Sequence, residues 1–295
     1  MEFADLPNDP AGNVALANAP ARRRRAASRG LAWLAALTAI AVVTMWSGQA
    51  GARAEVSHPA APQTGVLPPK NPSKSLPPDP NFTASPSPCV QHGNSSACNR
   101  QVLKAIAHAR KVLEKMSGMS FSLTAYLRLT RPEQLFVTAD LERTERGLPP
   151  ATVLSASLNK IAQIGAQNDE DPPLTKVPAS LPGGGKVSGK GSNWAGGYSN
   201  ALAADYGWMY DDGLNSPNED CTKSDKAGCW GHRDNILSTL SSSTICGGGP
   251  SALAMGAGYA AKSVSQTELF VGVCGAAPTD GVFTWTRAKK LLGIK

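Results

Sequence analysis

Residues 228–237 read Gly228-Cys229-Trp230-Gly231-His232-Arg233-Asp234-Asn235-Ile236-Leu237. This run gathers a cysteine, a tryptophan, a histidine, an arginine and an amide, then passes into helix-compatible apolar spacing at Ile236, Leu237 and Leu240. Upstream stand Ser192-Asn193-Trp194-Ala195-Gly196-Gly197 and Asp205-Tyr206-Gly207-Trp208-Met209-Tyr210-Asp211-Asp212. Downstream, residues 252–260 alternate Met255, Ala257 and Tyr259 against glycines, and residues 268–274 form a second strand-like run. The few polar residues between these two runs predict an antiparallel hairpin.

Working outward, leucine-rich stripes at helical spacing precede this region. Val102, Leu103, Ile106, Ala109, Leu113 and Met116 fall on one face, ended by Gly118. Thr130-Arg131-Pro132-Glu133 has the form of a capping box, opening a helix with Leu135, Phe136, Ala139 and Leu141 that Gly147 stops. Pro149-Pro150 is read as starting another helix, striped by Val153, Leu154, Leu158, Ile161 and Ala162. Residues 169–190 read as loop, and a helix is expected from Asn200. Residues 213–228 form a polar excursion, and the tail ends in Trp285 and a basic helix-like run at 287–290.

The amino-terminal part is not globular in composition. Residues 1–54 hold a basic cluster, Arg22 to Arg25 with Arg29, and then an uncharged run of sixteen residues, LAWLAALTAIAVVTMW, from Leu31 to Trp46. That is short of the roughly 20 residues of a membrane-spanning helix. With small residues at Ala50, Ala52 and Ala54 it has the parts of a secretory signal peptide. An uncleaved anchor in the membrane through Leu31 to Trp46 is the alternative. Residues 55–88 carry ten prolines and few large apolar side chains, the composition of an extended linker. Asn81-Phe82-Thr83 and Asn94-Ser95-Ser96 match the glycosylation acceptor pattern.

Lys and Arg number 29 against 22 Asp and Glu, a net charge of +7. Residues 1–54 hold six of those arginines and three of the acids, which leaves 23 against 19, or +4, for the remainder. That balance allows weak affinity for anionic lipid or wall polymer. No nucleic-acid motif accompanies it, so nucleic acid is not an expected partner. The six cysteines, Cys89, Cys98, Cys221, Cys229, Cys246 and Cys274, follow the apolar run, and an even number in an exported chain reads as three disulfides. Six cysteines allow fifteen pairings; local clustering suggests Cys89–Cys98, Cys221–Cys229 and Cys246–Cys274. No C-x-x-C pair occurs and there are 4 histidines, so no zinc site and no cofactor are expected.

Leu141-Glu142-Arg143, Arg146-Gly147-Leu148-Pro149, the trio Leu158, Asn159 and Ala162, Gly191 to Ala195, Trp208-Met209, Gly231 to Leu237 and Met255 to Tyr259 occur in an order that resembles the CAP superfamily. This SCP-like extracellular domain is shared by cysteine-rich secretory, antigen 5 and pathogenesis-related 1 proteins, and the chain looks like a degenerate bacterial member. The likeness covers about residues 131–275 and implies an α+β fold, an α-β-α sandwich with a small antiparallel sheet. The domain plan is then a basic amino terminus with signal or anchor over 1–54 and a linker over 55–88. A disulfide loop with helical extension follows over 89–130, and the CAP-like domain occupies 131–295.

Members of that family often carry two histidines and two acids in a cleft, able to bind a divalent metal. His232 matches the second histidine; the first would fall near Gly165, where none exists, and one acid position holds Ser192. Asp211 stands where the second acid would serve. An Asp211–His232 pair is therefore the candidate general base, and Asn193, Trp194, Trp208, His232 and Arg233 are the expected ligand cleft. Trp194, Trp208 and Trp230 are expected to pack together beneath it. Ser192 and Ser199 are the nearest nucleophiles, but neither sits in a G-x-S-x-G elbow. The acidic clusters Asp211-Asp212 and Asp169-Glu170-Asp171 read as solvated turns, with calcium as the minor alternative.

Three functions compete on this reading. The first is a non-enzymatic extracellular module binding a lipid or cell-wall ligand. The second is a wall-active or proteolytic hydrolase using His232 with Asp211. The third is a structural envelope protein.

Overall fold

The computed structural model describes residues 68–83, 87–183, 185–223 and 228–295. The basic amino terminus, the apolar run at 31–46 with its signal or anchor reading, and residues 55–67 of the linker lie outside the described residues. Among the described residues no helix is long and apolar enough to cross a membrane.

From residue 68 the chain leads through α1 (Pro80–Thr83) and α2 (Pro88–His92) into α3 (Ser96–Ala109), which continues as a π-helical turn over Arg110–Glu114. The expected stripe is the buried one: Val102, Ile106 and Ala109 are fully enclosed. A single turn, α4 (Leu123–Tyr126), precedes α5 (Arg131–Thr144). The capping box forms as read from the sequence, with Glu133 N–H donating to Thr130 Oγ1 and Thr130 N–H donating to the Glu133 carboxylate at 2.8 Å.

The stripe from Val153 to Ala162 divides in two. Val153 and Leu154 belong to β1 (Val153–Ser155), and the helix, α6 (Ala156–Asn168), starts only after Ser155, whose hydroxyl accepts from Leu158 N–H. Pairing of this short segment, led by the β-branched Val153, with β3 and β5 outweighs continuation of the helical period. The expected loop at 169–190 also ends early, because β2 (Lys186–Gly196) begins inside it. Three interior or terminal glycines hide that strand's alternation. One of them, Gly191, is demanded by close approach: a Cβ there would lie 2.4 Å from Asn235 Oδ1.

After β2 come α7 (Ala201–Tyr210), capped by Asn200 as expected, and the short α8 (Gly231–Ile236). The predicted hairpin is β3 (Ser251–Ala260) with β4 (Ser265–Cys274). A further strand, β5 (Gly281–Thr284), and a basic helix, α9 (Trp285–Leu292), close the chain.

The sheet order is β2-β4-β3-β1-β5. It is mixed rather than antiparallel: β1 runs parallel to β3, and the other neighbours are antiparallel. Alternate residues of the central hairpin feed two cores. Leu253, Met255, Ala257 and Phe270 face the layer built from α5 and α7, with α3 stacked on α7; Ala252, Ala254, Leu269, Val271 and Val273 face α6. The fold is thus α+β, a sheet between helical layers.

On the α6 face the helix backbone presses directly on β3. Cβ atoms at Gly256 and Gly258 would lie 2.4 Å from the Leu158 carbonyl carbon and 2.6 Å from that of Ala162. β1 pairs with β3 only at Ala254 and Met255. Beyond it, side chains of α6 take over the ladder: Ala257 N–H donates to Asn159 Oδ1 at 2.8 Å, and Tyr259 N–H to Gln163 Oε1 at 3.1 Å.

The described end of the linker, expected to stay extended as a spacer, is docked. Phe82 is fully buried against Tyr206, and Leu76 N–H donates to Tyr210 O at 2.8 Å. Residues 89–130 share one core with α5, α7 and the sheet. The disulfides pair Cys89–Cys98, Cys221–Cys229 and Cys246–Cys274, the arrangement local clustering suggests. They are compatible with an extracellular or secreted protein.

Candidate functional site: an acidic, aromatic cleft

A cleft of about 390 Å³ opens beside the end of the edge strand β2. Three helix ends converge on it. Asp169 is the C-cap of α6, Asp211 is the C-cap of α7, and His232 lies in the first turn of α8. Trp194, Tyr198 and Trp208 supply aromatic surface, and Trp208 Nε1–H donates to Trp194 O at 3.0 Å. Asn218, Glu219 and Asp220, just ahead of the Cys221–Cys229 disulfide, supply a further wall.

His232 is held by Asp212, not by the expected Asp211. Nδ1 of the imidazole lies 2.6 Å from Asp212 Oδ1, and His232 N–H donates to Asp212 Oδ2 at 3.0 Å. Asp212 therefore serves as an anionic cap for α8 as well as a partner for the ring. The two aspartates adjoin at the end of α7, and which one meets the imidazole is set by how the chain turns there, which spacing does not reveal. Burial by itself would lower the imidazole pKa, but the Asp212 hydrogen bond and charge, with Asp171 and Asp220 beyond, hold it above its ordinary value. With Nδ1 committed, Nε2 is the ring atom left to meet a ligand.

Asp211 is only 5 % exposed, and its Oδ2 is buried without a hydrogen bond from any described residue. Burial, with the Asp212 charge beside it, pushes its carboxyl up to about 7. The same two carboxylates and burial push the Tyr198 phenol up to about 12, burial contributing most.

Of the residues expected in the cleft, Trp194, Trp208 and His232 line it. Asn193 and Arg233 do not. Asn193 is fully buried beneath the histidine, donating to His232 O at 3.1 Å and accepting from Asn235 Nδ2 at 3.0 Å, so it positions α8 on β2. Arg233 points inward, donating to Met209 O at 2.8 Å and to the Glu114 carboxylate. Glu114 also pairs with Arg146, and Arg146 pairs with Glu142, a buried ion network linking the α3 extension to the histidine motif. Trp230 does not line the cleft; its ring packs against Gly213. Ser199 is 3 % exposed and is not among the lining residues.

The acidic clusters read as solvated turns gather at this one place. Asp211 and Asp212 are buried; Asp169, Glu170 and Asp171 are exposed but form a wall facing His232. The available signal was position: each cluster follows a helix end, and two helix ends meeting is a tertiary fact. Among the described residues, no group of three His, Cys, Asp or Glu side chains is arranged to hold a metal ion. No family model, curated protein or solved structure gives a significant match to the chain.

Proposed function

We propose that the chain is an exported CAP-like domain, delivered by a cleaved signal or held by an anchor, that binds a lipid or cell-envelope ligand without transforming it. The observation that supports this most directly is the cleft itself, about 390 Å³ with tryptophan and tyrosine surface and charged walls. Aromatic surface set beside charged walls suits capture of an amphipathic molecule. Native mass spectrometry of the exported full chain, with disulfides intact, tests the reading. A bound mass lost on organic extraction, and lost from a Trp194→Ala variant, is the expected result. A bare protein mass, together with no saturable binding to lipid or wall fractions, removes the proposal.

The Asp212–His232 contact favours one second reading, a hydrolase with His232 as general base. On that reading His232→Ala abolishes turnover of wall or peptide substrates while the thermal midpoint stays near that of the parent. Loss of activity only in step with loss of fold rejects it.

A further inference from the structure

We propose that the cleft selects ligands bearing a primary ammonium group, with Asp211 as the carboxylate that receives it. The inference deepens the proposed binding function and rests on it.

The first support is where the acids stand. The C-terminal end of a helix carries partial negative charge, and lysine, arginine or histidine is the favoured company there. Here the C-caps of α6 and α7 are both aspartates, Asp169 and Asp211, and both line one cleft. Asp212 follows at once, and Glu219 and Asp220 face them from the segment leading into the Cys221–Cys229 disulfide. Among the described residues His232 is the one basic side chain lining the cleft, and Asp212 balances it. A chain of net charge +7 thus presents a pocket of the opposite sign, which draws cations.

The second support is the orphan acceptor. Asp211 is 5 % exposed and its buried Oδ2 takes no hydrogen bond from a described residue. Buried acceptors are normally satisfied, and an ammonium N–H on the ligand supplies both the missing donor and the opposite charge. A quaternary ammonium brings charge without a donor. The carboxylates are also spread around the cleft rather than gathered into a set of three metal donors, so a multi-atom organic cation suits the space. Its body then lies on Trp194 and Tyr198, whose ring faces attract cations and cover apolar carbon.

Around Asp211 the titratable groups are Asp212, Tyr198 and Tyr206, with His232 across Asp212. Its carboxyl, raised to about 7, is mostly protonated at pH 6 and must lose that proton to receive a cation. Affinity for an ammonium therefore increases with pH, about eightfold between pH 6 and 7.5 for a single group titrating near 7.

Isothermal titration of the full chain with hexylammonium chloride, hexan-1-ol and hexyltrimethylammonium chloride tests this. Saturable binding of hexylammonium at least tenfold tighter than either control, tightening with pH and releasing a proton at pH 6, is expected. Asp211→Asn, checked for an intact thermal transition, weakens it at least tenfold and flattens the pH dependence. Hexanol or the quaternary ion binding as well as hexylammonium overturns the proposal, as does an Asp211→Asn variant that binds like the parent. If hexylammonium fails while a lipid or wall extract still binds, the ammonium inference falls and the binding function stands. If neither binds, both fall.

Discussion

His232 and Asp212 are joined twice, ring Nδ1 to Oδ1 at 2.6 Å and backbone N–H to Oδ2 at 3.0 Å. One carboxylate therefore sets both the charge of the imidazole and the start of the helix that carries it. In Asp212→Asn we expect the His232 midpoint, followed by NMR, to fall below that of the parent. Loss of the anionic cap should cost about 1 kcal/mol besides. A folded pKa raised above 6.5 means the pair's stabilisation is complete below that value and is lost as pH rises through the folded midpoint. The gap between variant and parent should accordingly narrow at alkaline pH. An unchanged midpoint would show that Asp212 does not control the ring.

Asp211 has the opposite consequence for stability. Its carboxyl titrates near 7 in the fold against 3.8 for the ordinary group, so the native state loses stability as pH rises between those values. Asp211→Asn removes that loss. At pH 8 the variant should melt a few degrees above the parent, and at pH 4 the two should coincide. At about 1.4 kcal/mol per pKa unit the gain is a few kcal/mol at most. A variant less stable than the parent at pH 8 would contradict the assignment.

Glu114 bridges Arg146 and Arg233, whose side chains are 2 % and 0 % exposed. Glu114→Ala leaves the buried Arg233 guanidinium without its carboxylate and Arg146 with Glu142 alone, and urea unfolding should report a loss of about 3–5 kcal/mol, the range for breaking a buried pair. Burial raises the Glu114 pKa, but the two arginines outweigh it and hold the carboxyl below 4.5. The contribution is thus present above 4.5 and disappears as pH falls through the folded value. A loss under 1 kcal/mol would mean that the extension is not tied to the histidine motif in this way.

Gly256→Ala tests the contact between α6 and the sheet. Its Cβ would lie 2.4 Å from the Leu158 carbonyl carbon, backbone that no rotamer change can move. A loss of about 2–3 kcal/mol is expected. The same substitution at Gly247, where nothing lies within 4 Å, should leave packing untouched and act only through its left-handed φ of +62°.

The Cys221–Cys229 bridge anchors the segment just ahead of it, which carries Glu219 and Asp220 of the cleft wall. Replacing both cysteines with serine should cost roughly 2–3 kcal/mol by loop-closure entropy, while ligand binding at the cleft should drop severalfold. The Cys246–Cys274 pair, 28 residues apart, should cost more in stability and leave binding closer to normal. Equal effects on binding would mean that the bridge does not shape the cleft.

Local chemistry made much of this fold legible. The capping box at Thr130, the Asn200 cap and the hairpin of β3 and β4 each depend on residues within a few positions of one another. The disulfide pairs were legible because each joins cysteines that are consecutive in the sequence. β2 escaped because its glycines serve a distant element, and β1 escaped because its pairing is with β3, a hundred residues on. The linker's prolines gave no sign of the short α1 turn, or that its Phe82 packs against Tyr206.

The site divides in the same way. By itself the sequence determined that one histidine stands in a helix-start motif beside tryptophans, and that acids cluster after helical stripes. It could not say which of two adjacent aspartates meets the imidazole, or that Arg233 and Asn193 turn inward. Nor could it say that the ends of α6 and α7 bring their acids to one cleft. Those facts are relations between residues from 20 to 119 positions apart, created when the sheet and its two helical layers pack. Composition sets the supply of charge; only burial and the directions of helix ends decide where that charge acts.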